Sequence, residues 1–420
     1  MTKHKQALAA KIVALFATIA CILICGSPQT PVVYDENAGS VAETPEAIGA
    51  VDDVPLQSMP EPETTAESFE KSEQKEKEED EYITLIEPEP EPEPKPELFS
   101  IAMMGDCAIA SEHSSKAKSN SYESTIGEDY AYPFSNVKHI YSEDDFVIVN
   151  LECAISEYNV PREKTYRLRA KPEYVNILIE GGIDFAATGN NHTFDYGTKG
   201  YEETLQILEA NGVGFAPNGG WNLHTTDSGL VIGVYSKNFP SMADVIKGVR
   251  ELRDAGAELI ITALHWGDEG SYRANSDQKL VAHSAVDAGA HIVMGTHPHV
   301  LQEMEVYKEG YIWYSLANWT FGANVNPADK DTVIARVNVM RDIDGSITLI
   351  GADNVPCSIS SVKTHNDYRP TPYEPGSLEY ERVLSKLEGT FTRISSTQTS
   401  ANEENQSSLQ IATDSSLAAD

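Results

Sequence analysis

Five apolar stretches of this chain end in an acidic, amide or imidazole side chain, and this pattern limits the possible folds more than any other feature. The stretches read IAMMGD up to Asp106, VIVNLE up to Glu152, FAATGNNH up to Asn191 and His192, ITALHWG around His265, and IVMGTHPH up to His297 and His299. In open α/β sheets, ligands gather beyond the carboxyl ends of the strands. The sequence therefore predicts that strands distant along the chain deliver these side chains to one place.

The chain beyond Leu98 alternates short apolar stretches with helical patterns, which is typical of an α/β domain with a buried sheet or pair of sheets. Helices are predicted over residues 173–180, 201–210, 242–254, 277–288 and 377–387, and further strands over residues 230–235 and 312–316. Residues 333–339 and 346–351 predict an antiparallel hairpin, so we expect a mixed sheet.

Each of the polar strand ends has an ordinary structural explanation when it is taken alone. Asp106 follows a glycine and Asn191 follows another asparagine, and both patterns are typical of turns. His265 beside a tryptophan can be a hydrogen-bonded core histidine. His297 and His299 are harder to explain in this way, because they flank a proline and point the same way on an extended chain.

Taken together, the strand ends favour one joint metal site. Its predicted ligands are Asp106, Glu152, Asn191, His265, His297 and His299. Carboxylate, amide and imidazole donors together suit one or two divalent ions such as Mn, Fe or Zn, whereas Ca prefers an all-oxygen shell. A bridging carboxylate can hold two ions, and such a pair supports a phosphoryl displacement.

A second role is predicted next to the ligands. His192 directly follows Asn191 and is placed to act as an acid or as an electrostatic stabiliser, with Asp195 orienting it. The alternative is that Asp195 only caps the helix that follows.

Basic residues cluster between the second and third strand ends of an otherwise acidic chain. They are Arg162, Lys164, Arg167, Arg169 and Lys171. We interpret Arg169 and Lys171 as contacts for an anionic substrate at the mouth of the site. The alternative is a solvated strand or loop face.

The ordered series GDC, NLE, GNNHTFDYG, HWGDEG, GTHPHVLQ and YSLANWTFG resembles the CapA family, which is associated with poly-γ-glutamate capsule synthesis. The domain of that family is similar to calcineurin-like metallophosphoesterases. The resemblance runs from Ser100 to about Gly322 and implies a metallophosphoesterase-like α/β/β/α sandwich with mixed sheets. It also implies the same six ligands, His192 as the catalytic histidine and Asn318 near the site, where we assign Asn318 to substrate binding.

The sequence departs from the metallophosphoesterase pattern at two points. Asp106 is followed by Cys107 and Ala108 where Asp-x-His is usual, so one imidazole is missing, and Glu152 replaces the bridging aspartate. The missing imidazole leaves open whether one or two ions bind.

Two functions follow from the resemblance and the ligand set. The first is a cell-envelope metal-dependent hydrolase that acts on a phosphoester or on an anionic polymer such as poly-γ-glutamate. The alternative is a non-catalytic metallated subunit that binds polymer or scaffolds a membrane synthase. A third hypothesis, a binding module without metal, requires the six ligand residues to be scattered in space.

The amino terminus has the pattern of an export signal. Lys3, Lys5 and Lys11 precede an apolar run over residues 12–25. Residues 1–27 are therefore predicted to be a signal peptide or a membrane anchor, either cleaved, lipidated at Cys21 or Cys25, or retained. This predicts an extracytoplasmic protein that is membrane-anchored or secreted.

The remaining segments are predicted from composition. Residues 28–97 are rich in Pro and Glu, carry roughly half of the formal charge of −34, and predict a disordered acidic linker. The CapA-like domain is expected over residues 98–395 and a disordered tail over residues 396–420. So acidic a chain is not expected to bind nucleic acid, because a binder must neutralise phosphates with Lys and Arg.

Two cysteines occupy similar positions after strand-like stretches. Cys107 follows Asp106, and Cys153 follows Glu152. In an oxidising compartment they can form a disulfide between neighbouring strand ends, and the alternative is a pair of free thiols in a tight core.

Overall fold

The computed structural model describes residues 94–116 and 118–392 of the 420-residue chain. The predicted signal or anchor over residues 1–27, the predicted tail over residues 396–420 and nearly all of the predicted linker lie outside the described residues. Within those two ranges no helix combines the length and the apolar character needed to cross a membrane.

Strands form the centre of the domain. They run over Glu97–Ala108 (β1), Phe146–Leu151 (β2), Ala154–Ile155 (β3), Arg169–Ala170 (β4), Phe185–Ala187 (β5), Gly214–Ala216 (β6), Gly220–Thr225 (β7), Val231–Asn238 (β8), Leu259–His265 (β9), Ile292–Thr296 (β10), Met304–Tyr307 (β11), Gly310–Trp313 (β12), Asn318–Phe321 (β13), Asp331–Arg341 (β14), Ile347–Ser358 (β15) and Thr371–Pro372 (β16).

Helices lie between many of these strands. The α-helices are Tyr122–Ile126 (α1), Lys138–Tyr141 (α2), Val175–Gly181 (α3), Gly197–Ala210 (α4), Met242–Asp254 (α5), Ser276–Ala288 (α6) and Leu378–Leu387 (α7). Short 3-10 helices cover His113–Ser115, Tyr132–Phe134 and Pro172–Tyr174. Helix α5 begins with a capping box in which Ser241 and Asp244 bond each other's backbone, which explains why the helix starts there.

The strands form two large sheets, and both are mixed. The first has the order β16-β15-β14-β1-β2-β5-β6, with β13 also paired to β1. Strands β1, β2, β5 and β6 are parallel, whereas β14 and β15 form the predicted antiparallel hairpin. The second sheet has the order β11-β12-β10-β9-β8-β7, with a parallel centre and an antiparallel strand at each edge.

The two sheets pack against each other and carry helices on their outer faces. Strand β1 alternates along its length, because Ile101 and Met103 face the core between the sheets while Ala102 and Met104 face the core on the outer side. A third core lies between the second sheet and helices α5 and α6, where Val249 and Ala282 are buried. This layering confirms the predicted α/β/β/α sandwich with mixed sheets.

Several predicted boundaries need correction. Helix α4 begins at Gly197, four residues before the predicted start at 201 (201 − 197 = 4), because its first turn lacks the apolar period used to predict it. The strand predicted over residues 312–316 runs instead over Gly310–Trp313. Helix α5 has the predicted bounds.

Gly105 lets strand β1 change its neighbour. Up to Met103, β1 pairs with β14, and from Asp106 it pairs with β13. A Cβ atom on Gly105 would lie 1.9 Å from the carbonyl oxygen of Ala317, so no larger residue fits without moving the backbone. The Asp106 N–H donates to this same carbonyl at 2.8 Å, which fixes the strand end that carries the carboxylate.

Cys107 and Cys153 are both buried and free in the structure, as is Cys357. Of the two predicted alternatives, a disulfide and a pair of free thiols in a tight core, the structure therefore has the free thiols. Burial raises the pKa of Cys153 to about 12 and that of Cys107 well above its usual value, so neither is a reactive thiolate at neutral pH.

A buried charge network attaches helix α7 to the rest of the domain. The Lys386 ammonium is 2% exposed and donates to Asp329 at 2.5 Å and to Asp331 at 2.7 Å. Arg382 donates twice to Asp331, both at 2.7 Å. Although burial acts in the opposite direction, these bonds lower the pKa of Asp331, which keeps the carboxylate ionised.

We expect Lys386→Met to lower the free energy of unfolding by about 3 kcal/mol or more, because it removes the buried ammonium that lies between the Asp329 and Asp331 carboxylates. Urea denaturation measures this loss. The matched control is Lys363→Met. The Lys363 side chain is 90% exposed and pairs with Glu379, which lies on helix α7 as Lys386 does, and this exposed pair should contribute less than about 1 kcal/mol. Equal losses in both variants would contradict the role of the network.

We also expect a fragment of residues 94–392 to fold alone, because the strands and helices at both of its ends pack within it. Limited proteolysis of the full chain should trim it to approximately these bounds. Resistance to cleavage throughout residues 28–97, or an insoluble fragment, would show that the domain boundary is wrong.

Candidate metal centre

The polar strand ends of both sheets meet at one edge of the sandwich. Asp106 lies on β1 and Glu152 directly follows β2, whereas His265 ends β9 and His297 follows β10. Two overlapping groups, Asp106 with Glu152 and His265, and Glu152 with His297 and His299, each place their ligand atoms within 4.8 Å of one another. Asn191 joins them through its Oδ1, which lies 3.1 Å from His265 Nε2. The structure thus brings all six predicted ligands together.

Glu152 lies at the junction of the two groups and lacks ordinary partners. Its side chain is fully buried, and neither carboxylate oxygen has a hydrogen-bond partner among the described residues. Buried polar atoms are almost always satisfied, and a buried carboxylate is stable only with a compensating positive charge. These unsatisfied oxygens, surrounded by imidazoles, are what a site for a divalent cation requires.

The spacing of the donor atoms is also consistent with a cation site. His265 Nε2 lies 3.1 Å from His297 Nδ1 and 3.5 Å from Glu152 Oε1. Donors that share one ion at bonds of about 2.1 Å are separated by roughly 3.0 to 3.4 Å. His192 Nε2 and His299 Nε2 lie 3.9 Å and 4.0 Å from the same Glu152 oxygen.

Neighbouring polar side chains orient the ligands. The Asn150 amide donates to Asp106 Oδ1 at 2.7 Å and lies 3.3 Å from His265 Nδ1. Thr296 Oγ1 is 3.0 Å from the same His265 nitrogen, so Nε2 is the nitrogen directed into the cluster. Sequence reasoning missed Asn150, although it is two residues before Glu152 in the NLE motif. Such supporting groups fix ligand orientation in metal sites.

Asn318, which the resemblance placed near the site, contacts a ligand directly. Its Oδ1 lies 2.9 Å from His299 Nδ1, and its strand β13 is in register with Asp106. Asn318 therefore orients His299 in the way that Asn150 orients His265.

The electrostatics of the cluster favour a bound cation. Burial raises the pKa of Glu152 well above its usual range, and the Asp106 carboxylate raises it further. Burial also lowers the pKa of His265 far below its ordinary value and lowers that of His297, so both imidazoles are neutral and able to act as ligands. Although burial opposes it, hydrogen bonding and charge from His299 lower the pKa of Asp106 to about 2.

His192 and Asp195 form a hydrogen-bonded pair beside the ligands. Asp195 Oδ2 lies 2.6 Å from His192 Nδ1, and because a carboxylate only accepts, this nitrogen carries the proton. The other nitrogen of His192 is therefore the one that faces Glu152. Asp195 also accepts from Lys164 Nζ at 2.8 Å and from the Leu168 N–H at 2.7 Å, and its side chain does not cap α4.

Arg169 and Lys171 contact residues other than the ligands. Arg169 Nη1 donates to the Ser156 carbonyl at 2.5 Å and the guanidinium stacks over Tyr196. Lys171 is exposed and lies 3.6 Å from Glu173. Their role in substrate binding stays a prediction.

Backbone strain is concentrated around the cluster. His297 (φ 99°), His299 (φ 57°), Ala317 (φ 61°) and Phe239 (φ 44°) all have positive φ, which residues other than glycine rarely adopt. Strained residues persist only where the surrounding structure holds them, and they cluster at functional sites.

A cavity of about 1240 Å³ lies beside the cluster. His299 and Asn318 line it, as do Arg382 and Lys386 of helix α7. Ser358, Ser360 and Ser361 are also among its lining residues.

The family model of the bacterial capsule synthesis protein PGA_cap matches residues 100–228 and 225–323, which is more than half of the chain and includes every residue of the cluster. The chain belongs to the PGA_cap family. This confirms the predicted resemblance to CapA proteins.

Two curated relatives are similar to this chain over about 60% of its length. The capsule biosynthesis protein CapA of Bacillus anthracis is 29% identical over 291 residues, which cover 61% of this chain and 66% of that protein. The PGA biosynthesis protein CapA of Bacillus subtilis (strain 168) is 26% identical over 279 residues, 60% of this chain and 70% of that protein. The first match thus spans slightly less than two thirds of the relative's length.

Among solved structures, the NAD nucleotidase of Haemophilus influenzae has a TM-score of 0.36 and 12% identity, over 70% of this chain and 63% of that chain. A TM-score this low supports no conclusion about the site.

We expect Glu152→Gln to abolish metal binding without destabilising the metal-free protein. Glutamine replaces an ionisable buried carboxyl group that has no hydrogen-bond partner with a neutral amide. With a chelator present to remove metal, the free energy of unfolding should therefore stay unchanged or rise by up to about 2 kcal/mol. For the wild type, Mn²⁺ at a hundred times its Kd should add about 2.7 kcal/mol. Thermal denaturation with and without Mn²⁺ measures both effects.

The control for this experiment is Glu202→Gln, which changes an exposed carboxylate on helix α4. It should keep the whole Mn²⁺-dependent increase in Tm. A Glu152→Gln protein that keeps the same increase would refute the assignment of Glu152 as a ligand.

Proposed function

We propose that this protein is a metal-dependent hydrolase of the cell envelope that acts on a phosphoester or on an anionic polymer such as poly-γ-glutamate. The observation that carries the proposal is the position of His192. Its free nitrogen faces the unsatisfied Glu152 carboxylate, while its other nitrogen is held by Asp195. A purely structural metal site does not need such a pair at its edge.

We propose that Asp106, Glu152, Asn191, His265, His297 and His299 hold one or two divalent ions such as Mn, Fe or Zn, with Glu152 shared between the two groups. Such an ion supplies Lewis-acid polarisation of a phosphoryl or carbonyl oxygen. The chain's own residues supply the rest of the chemistry.

His192 moves the proton in the proposed reaction. Asp195 holds Nδ1, so Nε2 is the nitrogen that faces the site. As water adds to phosphorus or to the carbonyl carbon, Nε2 donates a proton to the leaving group, the oxygen of a phosphoester or the nitrogen of an amide, and the proton released by the water restores the imidazolium. Lys164 holds Asp195 and also donates to the Asn191 carbonyl at 2.8 Å. The segment that carries both a ligand and the acid is thereby kept in place.

The substrate class and location rest on similarity and on the amino-terminal sequence. The family and its two relatives are named for capsule or PGA biosynthesis. The Lys-flanked apolar run over residues 12–25 supports an extracytoplasmic location, anchored to the membrane or secreted, where membrane synthase subunits are the proposed partners.

The predicted difference between a ligand and the acid can be measured directly. His297→Ala should lower metal content and stability together, because metal binding stabilises the native state. His192→Ala should keep its metal and lose turnover by about 10²- to 10⁴-fold, the usual contribution of positioned acid catalysis. Metal analysis combined with turnover on bis(p-nitrophenyl) phosphate and on poly-γ-glutamate separates the two.

The control is His139→Ala, which replaces an exposed histidine on helix α2 and should change neither quantity. If His192→Ala loses metal as His297→Ala does, His192 is a ligand. If it keeps both metal and full turnover, or if the wild type turns over neither substrate, the alternative of a non-catalytic metallated scaffold is supported instead.

A further inference from the structure

Phe239 is an aromatic residue whose position the stability of the fold does not explain. It directly follows strand β8, at the same edge of the second sheet as His265 and His297. Its side chain is 55% exposed, although burying a phenylalanine is one of the larger sources of stability available to a chain. A stable fold gains little from a large apolar ring in this place.

The backbone of Phe239 is strained as well as exposed. Its φ is 44°, in the left-handed region, which is a genuine outlier for a bulky side chain. The next residue is Pro240, and a residue before proline normally adopts an extended conformation. Asparagine or glycine would adopt this φ at lower cost, so phenylalanine runs against the local conformational preference at this position.

The surrounding structure holds the residue firmly at the metal centre. The Phe239 N–H donates to the carbonyl of His265 at 2.8 Å, and the N–H of Asn238 donates to Asn218 Oδ1 at 3.1 Å. The ring meets the ring of His297 edge-on, with centroids 5.1 Å apart and planes at 76°. One part of the ring therefore contacts a ligand, and the rest is open to solvent beside the cluster.

The chemistry of a bound molecule at this place follows from these neighbours. A cation at the cluster attracts an anionic group, and an apolar ring beside it favours hydrocarbon next to that group. Inorganic phosphate offers no hydrocarbon to such a ring. A polymer of carboxylates spaced by methylene groups offers both features in alternation.

We infer that Phe239 is a specificity-determining residue that contacts the methylene groups of a polycarboxylate chain while an anionic group of the same chain lies at the metal centre. This inference rests on the proposed function. It assigns to Phe239 the preference for the polymer over small anions, separate from metal binding and from proton transfer by His192.

The experiment uses the full-length chain loaded with Mn²⁺ and two probes, a poly-γ-glutamate decamer and inorganic phosphate, in calorimetric titrations. Phe239→Asn should bind the decamer about tenfold more weakly, the loss expected when contact with one to two methylene groups is removed. Its phosphate affinity and its metal content should equal those of the wild type. Because asparagine tolerates the left-handed backbone, its Tm should equal or exceed that of the wild type.

Two further variants complete the test. Phe239→Tyr keeps the ring and should retain decamer affinity within about twofold. Ile343→Asn removes a 61% exposed apolar side chain from the turn between β14 and β15 and should change nothing.

The outcomes separate this inference from the proposed function. If the wild type binds the decamer and Phe239→Asn binds it equally well, the inference about Phe239 is overturned and the proposed function stands. If Phe239→Asn loses metal, phosphate affinity and stability together, the residue is structural and the inference is again overturned. If the wild type does not bind the decamer, the polymer as substrate is refuted and the inference is refuted with it.

Discussion

The arrangement of both sheets depends on one buried carboxyl group, that of Glu152, which has no hydrogen-bond partner among the described residues. Glu152 lies where the carboxyl ends of two sheets meet, and its carboxylate has imidazoles around it but no hydrogen-bond donor. Asn150, Thr296 and Asn318 each hold a ligand that faces this carboxylate. The sandwich brings donors from five strand ends together around a buried carboxyl group, so the fold itself determines the chemistry that is possible at this position.

Much of this arrangement could be predicted from the sequence because it depends on local pattern. Apolar runs reveal strands, and parallel strands end at a common edge, so side chains such as Asp106 and His265 are expected to meet even though they are far apart along the chain. The antiparallel hairpin of β14 and β15 was predictable because two apolar stretches flank a short turn. The six predicted ligands could be named without knowledge of strand order, because parallel strands of one sheet end at a common edge. Only the fold shows that the edges of the two sheets meet.

Features that depend on strand order and on side-chain contacts were not predictable. The cluster of basic residues was visible in the sequence, but the sequence did not show which of its members would contact the site. Only the fold shows that Lys164 donates to the Asp195 carboxylate, whereas Arg169 donates to the Ser156 carbonyl. Phe239 gave no signal, because positive φ at a bulky residue runs against local propensity and arises only when the surrounding backbone imposes it. The pairing of β13 with β1 depends on a close approach at Gly105 between residues far apart in sequence.

That pairing has a consequence for the order in which the protein matures. The Asp106 N–H is held by the Ala317 carbonyl, and β13 completes the strand end that carries the carboxylate. A chain emerging from the ribosome has the Asp106 and Glu152 strands early, but it lacks this support until Ala317 has been synthesised. Partly synthesised chains therefore present an unfinished cluster. The cluster is thus complete only after nearly the whole domain has been synthesised, so its assembly reports that the domain has folded.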